Sequence, residues 1–249
     1  METIKITKKQ LDKDNFYKED GIGTYSEYKN CNIEIDENLG HVRFKKGVYV
    51  NGSIVCKAGS GIKAGWGIKA GWGIVAGYGI EAGYGIKAGY GIKAGSDIEA
   101  GYGIKAGDGI KAGEGIKAGS GIEAGSDIEA GWGIKAGEGI EAGWGIKAGE
   151  GIKAGEGIKA GLSISCKSSL SFFYRLFAGT AYWRNTNDEE KTITCGKLEP
   201  QNGATVEYGI VKELGLPEEL NGIEENTKVK KAIELLTQKG VLVDGKILK

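Results

Sequence analysis

From Cys56 to Ser165 the apolar positions recur with a strict period of six. Ala stands at every sixth residue from Ala58 to Ala160, 18 times in succession, and Ile at every sixth residue from Ile62 to Ile164, also 18 times. The unit reads Ile-(Lys/Glu)-Ala-Gly-X-Gly, without insertion or deletion. Ile-(Lys/Glu)-Ala alternates apolar, charged, apolar, which predicts a three-residue strand with Ile and Ala on one face. Gly-X-Gly predicts a corner, with the two glycines taking positive φ and X jutting outward. At Asp97 and Asp127 the second Gly is replaced by a residue that tolerates the left-handed region. A helix is excluded, because two Gly per six residues would cost roughly 2 kcal/mol per unit. Strands this short become stable only when successive turns of chain stack, so the segment predicts an all-β fold, a β-solenoid of hexapeptide repeats.

Two coil lengths fit. Twelve residues give a flattened coil with Ile meeting Ala across a thin core; 18 give a triangular coil. A 12-residue step sets Trp66, Tyr78, Tyr90 and Tyr102 in one column and makes five aromatic neighbour pairs, against three at 18. Like residues tend to ladder in stacked sheets, and at a 12-residue step Lys and Glu alternate from Lys87 to Lys135. The flattened coil is therefore favoured, with the triangular one as runner-up. It predicts a rod of about nine coils, roughly 43 Å long.

Residues 1–55 carry short alternating stretches, such as Cys31–Ile35, His41–Phe44 and Gly47–Val50, and read as a β-rich N-terminal cap leading into the solenoid of residues 56–165. Residues 166–213 read as a β-rich C-terminal cap, in which the aromatic run Phe172–Phe177 closes the exposed end. Residues 214–249 read as an α+β module: an amphipathic helix over Lys228–Lys239, then a hairpin centred on Asp244-Gly245. A cap of this kind could also join copies of the chain into a homo-oligomer.

The X positions are graded along the chain. Trp66, Trp72, Tyr78, Tyr84, Tyr90 and Tyr102 occupy six of the first eight; Trp132 and Trp144 follow among Asp108, Glu114, Glu138, Glu150 and Glu156. Ring-on-ring contact along a column would stabilise the stack by about 0.5–1.5 kcal/mol per pair. Exposed Trp and Tyr are also the residues enriched at binding hot spots, so these eight are the candidate binding residues.

Composition narrows the function classes. Gly supplies 46 of 249 residues but Pro only 2, which excludes collagen. Lys plus Arg and Asp plus Glu are equal at 33 each, and within the repeat twelve strand lysines meet twelve acidic groups. This balance weighs against nucleic acid as a partner. Cys31, Cys56, Cys166 and Cys195 lack metal or redox spacing, and no cofactor is implied. Cys56 falls at an Ile position and Cys166 at an Ala position, both as small core residues. Without an apolar leader or a 20-residue apolar span, the chain reads as a cytoplasmic protein away from membranes. His41 is the sole histidine and lies outside the repeat. It is the one available general base for a hexapeptide acyltransferase, and the chain reads as non-enzymatic.

The unit is similar to that of hexapeptide-repeat left-handed β-helix proteins, with Ile and Ala exchanging the usual small and large positions. The run Gly-Ile-Lys-Ala-Gly-Trp-Gly, followed by Phe177-Ala-Gly-Thr and Lys191-Thr-Ile-Thr-Cys-Gly-Lys-Leu, resembles uncharacterised hexapeptide-repeat proteins of bacteriophages and mobile elements. That resemblance implies a host-takeover or anti-defence factor, such as an inhibitor of a CRISPR effector, acting on a host protein complex in the host cytoplasm. A carbohydrate-binding or virion solenoid is the alternative expectation.

Overall fold

The computed structural model describes residues 1–18, 25–28, 30–214, 242–243 and 246–247. It divides into two units, Met1–Glu213 and Leu214–Lys249.

The first unit is a β-solenoid of parallel strands in three sheets of 11, 9 and 10 strands. Within the repeat each strand pairs with the third strand after it. Ile62 pairs with Ile80 and then Ile98 in the second sheet, Ile68 with Ile86 and Ile104 in the third, and Ile74 with Ile92 and Ile110 in the first. The coil is thus triangular, with one Ile-x-Ala strand on each wall, and the flattened 12-residue coil is overturned. The ladder count misled because the aromatics crowd the first eight X positions, where almost any step makes neighbours. The repeat forms about six coils, roughly 29 Å at ~4.8 Å each.

Why this sequence winds this way follows from the interior. Every Ile from Ile62 to Ile164 and every Ala from Ala64 to Ala160 is buried, while the residue between points away from the core. Each buried Ile contributes about 1.5–3 kcal/mol, which three-residue strands realise only by stacking. As predicted, Ile and Ala line the inside and the charged residue faces out.

The flanks continue the same three sheets. Cys31–Ile35, Gly40–Phe44 and Gly47–Val50 pair with the first rungs of the repeat or with strands next to them. Beyond it, Ser169–Phe172, Arg175–Phe177 and Thr192–Cys195 extend the second, third and first sheets. The aromatic run therefore does not close the stack: Phe172 is itself a core residue, and strands Lys197–Pro200 and Thr205–Tyr208 lie beyond it. Phe44 and Phe172 both enter the second sheet, on either side of the Ala-lined repeat, and both are fully buried. At the N-terminal end the chain folds over the first coil: Leu11 and Tyr17 are buried, and the Tyr17 ring lies 5.5 Å from Phe44.

Cys56 pairs with Ala76, the Ala position rather than the Ile position expected for it. The coil from Ile54 to Ile74 carries two residues more than the repeat, which shifts the frame. In the second unit Leu242 pairs with Ile247 and Val243 with Lys246, antiparallel, as the Asp244-Gly245 centre predicts. The helix expected over Lys228–Lys239 lies outside the described residues. Among the described residues no helix is long and apolar enough to cross a membrane.

Candidate binding surface

The corners are built by close approach rather than by unusual backbone. None of the repeat glycines from Gly61 to Gly161 takes positive φ, contrary to the expectation for Gly-X-Gly. The first Gly of each corner is required by its neighbour one coil back: a Cβ on Gly83 would lie 2.1 Å from the Gly65 carbonyl oxygen, and one on Gly125 1.9 Å from that of Gly107. The second Gly is looser, with 3.1–3.4 Å typical. That looseness explains Asp97 and Asp127. Each side chain accepts a hydrogen bond from the backbone N–H one coil further on, Gly115 and Gly145, at 2.8 Å. The backbone N–H of X donates to the carbonyl of X in the preceding coil, as Tyr84 does to Trp66 and Tyr102 to Tyr84. The corner is thereby tied into the stack, with its Trp and Tyr side chains exposed but Ser60, Ser96 and Ser120 buried, against the expectation that X juts outward.

Three edges of the prism result. Edge 1, before the second sheet, carries Tyr78, Ser96, Glu114, Trp132 and Glu150. Edge 2, before the third, carries Trp66, Tyr84, Tyr102, Ser120, Glu138 and Glu156. Edge 3, before the first, carries Trp72, Tyr90, Asp108, Ser126, Trp144 and Leu162. The predicted column Trp66–Tyr78–Tyr90–Tyr102 is thus split over all three edges. What remains is a collar: Trp66, Trp72, Tyr78, Tyr84, Tyr90 and Tyr102 encircle the first coils of the repeat. Trp132 and Trp144 stand further along, on edges 1 and 3. All eight are 46–60% exposed.

Their surroundings differ. Tyr84 and Tyr102 stack at 4.9 Å. Tyr78 packs at 4.9 Å against His41, whose ring lies over the Gly61–Gly79 strip. Burial holds the His41 imidazole below its usual pKa, against the smaller opposing pull of Glu81. Trp132 has Glu114 and Glu150 as its edge neighbours. Between edge 2 and the outward charges of the third sheet runs an open groove, floored by Gly85, Gly103, Gly121 and Gly139 and walled by Tyr84, Tyr102, Glu138 and Lys87.

No family model, curated protein or solved structure matches this chain.

Ion pairs run from coil to coil along each sheet: Lys63–Glu81, Lys105–Glu123, Lys111–Glu129, Lys117–Glu99 and Lys159–Glu141. Hydrogen bonding to Glu99 raises the Lys117 pKa, and bonding from Lys111 lowers that of Glu129. Among the described residues no three His, Cys, Asp or Glu side chains gather in a group able to hold a metal ion.

One exposed feature escaped the periodic reading. The coil from Ile164 to Ile193 is much longer than those of the repeat, and the excess forms a loop after Ala178. It presents Tyr182, 95% exposed, edge-to-face with Trp183 at 5.4 Å, and is braced by an Arg184–Glu190 ion pair at 2.6 Å. The signal was present in Ala181-Tyr-Trp-Arg-Asn-Thr-Asn, polar and out of period yet carrying two aromatics.

Proposed function

We propose that the chain is a non-enzymatic, protein-binding solenoid of phage type that inhibits a host defence complex by stoichiometric binding in the host cytoplasm. Its coil is read as a hexapeptide-repeat β-helix with Ile and Ala in exchanged positions. The observation that carries the reading is the exposure of all eight corner Trp and Tyr residues. Core packing does not require them there, since Ser, Asp and Glu fill the same positions in other coils. Large rigid aromatics left in solvent on a stiff rod are suited to burial against a partner.

Because the aromatics lie on three edges, the test goes edge by edge. Affinity capture from a bacterial host lysate compares the natural chain with three Ala sets: Tyr78/Trp132, Trp66/Tyr84/Tyr102, and Trp72/Tyr90/Trp144. One set should abolish capture and inhibition of the captured complex while leaving the circular-dichroism spectrum unchanged. If all three folded variants capture as the natural chain does, the corner aromatics are not the contact.

A second reading, carbohydrate binding, draws on Trp132. Its ring is 60% exposed and its edge neighbours Glu114 and Glu150 are carboxylates able to accept from sugar hydroxyls. Glycan-array binding lost in Trp132→Ala would favour it over the protein-binding reading.

A further inference from the structure

The third face, between edges 2 and 3, carries an asymmetric charge row. In coil order its outward residues are Lys69, Lys87, Lys105, Glu123, Glu141 and Lys159. Same-sign charges directly opposite one another destabilise a sheet, yet Lys69, Lys87 and Lys105 are consecutive. Lys105 is relieved by Glu123 at 2.6 Å, and Glu141 by Lys159 at 2.7 Å. Lys69 lies 5.9 Å over the Tyr49 ring. Lys87 has a lysine on each side and no acidic neighbour in its sheet.

We propose that this face is the interface of an antiparallel dimer, in which a second copy of the chain is related by a two-fold axis that crosses the rod between the Lys105 and Glu123 coils. That operation sets Lys87 opposite Glu141 of the second copy and Lys105 opposite its Glu123. Along edge 2 it sets Tyr84 opposite Glu138, as a phenol able to donate to a carboxylate, and Tyr102 opposite Ser120. Along edge 3 it sets Tyr90 opposite Trp144 and Trp72 opposite Leu162, so apolar meets apolar. The exception falls at the outer ends, where Lys69 meets Lys159; there Lys159 is held by its own Glu141, and Glu156 lies beside it on edge 2.

Spacing selects a second copy over other anionic partners. The lysines repeat at the inter-coil step of ~4.8 Å, whereas an extended peptide repeats its same-face side chains at about 6.8 Å. Another solenoid of the same pitch keeps every pair in step. The self-complementary pattern is what a two-fold interface requires. A strip about 29 Å long and roughly 16 Å wide gives about 460 Å² per copy, below the range of stable pairs and in that of weak, reversible ones. Association therefore leans on charge and should weaken with salt. In such a dimer edges 2 and 3 are covered, and edge 1, with Tyr78 and Trp132, is the edge left for the binding reading above.

Sedimentation velocity on the full chain, over about 1–200 µM and at low and high salt, tests it. The natural chain should dimerise reversibly and lose at least about tenfold in affinity at high salt. Lys87→Glu and Glu141→Lys should each be monomeric with an unchanged circular-dichroism spectrum. Mixed one to one, they should form a heterodimer, since both Lys87–Glu141 contacts are then restored with reversed sign in one. A monomeric natural chain, single variants that dimerise as it does, or a mixture that stays monomeric would each overturn the proposal.

Discussion

Tyr84 and Tyr102 lie face to face, with ring planes 2° apart and centroids 4.9 Å apart, although a full coil separates them in the chain. Their spacing is that of the backbone beneath, where the Tyr102 N–H donates to the Tyr84 carbonyl. The pair is thus a direct readout of coil length. A double-mutant cycle with Tyr84→Ala and Tyr102→Ala should give a coupling of about 0.5–1.5 kcal/mol by chemical denaturation. The same cycle between Tyr90 and Tyr102, neighbours only in a 12-residue coil, should give none.

The two glycines of a corner should respond differently to a methyl group. A Cβ on Gly125 would sit 1.9 Å from the Gly107 carbonyl oxygen, whereas one on Gly121 would sit 3.4 Å from that of Gly139. Gly125→Ala should cost about 1–3 kcal/mol or more through overpacking against backbone. Gly121→Ala should stay within about 1 kcal/mol of the natural chain, helped by a narrower unfolded ensemble. Thermal unfolding of the two variants provides the comparison.

Asp97 and Asp127 stand where the repeat has Gly, and each bonds the next coil. Asp97→Gly restores the repeat consensus but removes that bond. It should therefore destabilise by about 0.5–1.5 kcal/mol, with faster amide exchange at Gly115. Unchanged exchange there would show that the carboxylate does not hold that N–H.

Burial pushes the Cys56 and Cys166 thiols up to about 12 and Cys195 up to about 11, from an ordinary 9.0. Above about pH 9 the unfolded chain would release these protons while the folded chain keeps them, so stability should fall as pH rises toward 11–12 and be unaffected by these groups below pH 8. Cys56→Ala, which installs the residue found one coil on, should flatten that alkaline slope. In the folded chain a thiol reagent should react at neutral pH only at the rate of unfolding.

What the chain order made legible was the strand half of the six-residue unit. Ile and Ala inward and Lys or Glu outward follow from alternation, and the exposed Trp and Tyr corners from two glycines per unit, whereas Ser60, Ser96 and Ser120 at the same corner position are buried. Coil length was not legible, because a strict six-residue repeat fits any whole number of units per coil. Only contacts between coils decide it, such as Lys105 with Glu123 and Lys111 with Glu129. The surface map depended on that number, so the expected column of Trp66, Tyr78, Tyr90 and Tyr102 dissolved into three edges. The role of the first glycine was hidden for the same reason: the Gly125 neighbour that forbids a side chain is Gly107, one coil back. The Tyr182–Trp183 loop was missed because a search for period passes over the segment that breaks it.

The threefold winding has a consequence for how such a gene can change. Near-identical units invite slippage during replication, and any loss or gain of whole units keeps every Ile indoors. Removing three units together shortens the rod by one storey and leaves each downstream side chain above its former edge. Removing a single unit instead turns everything downstream by a third of a revolution, carrying Trp132 from the edge of Tyr78 to that of Tyr90. The architecture would survive both events, but only the first preserves what the outside of the molecule presents.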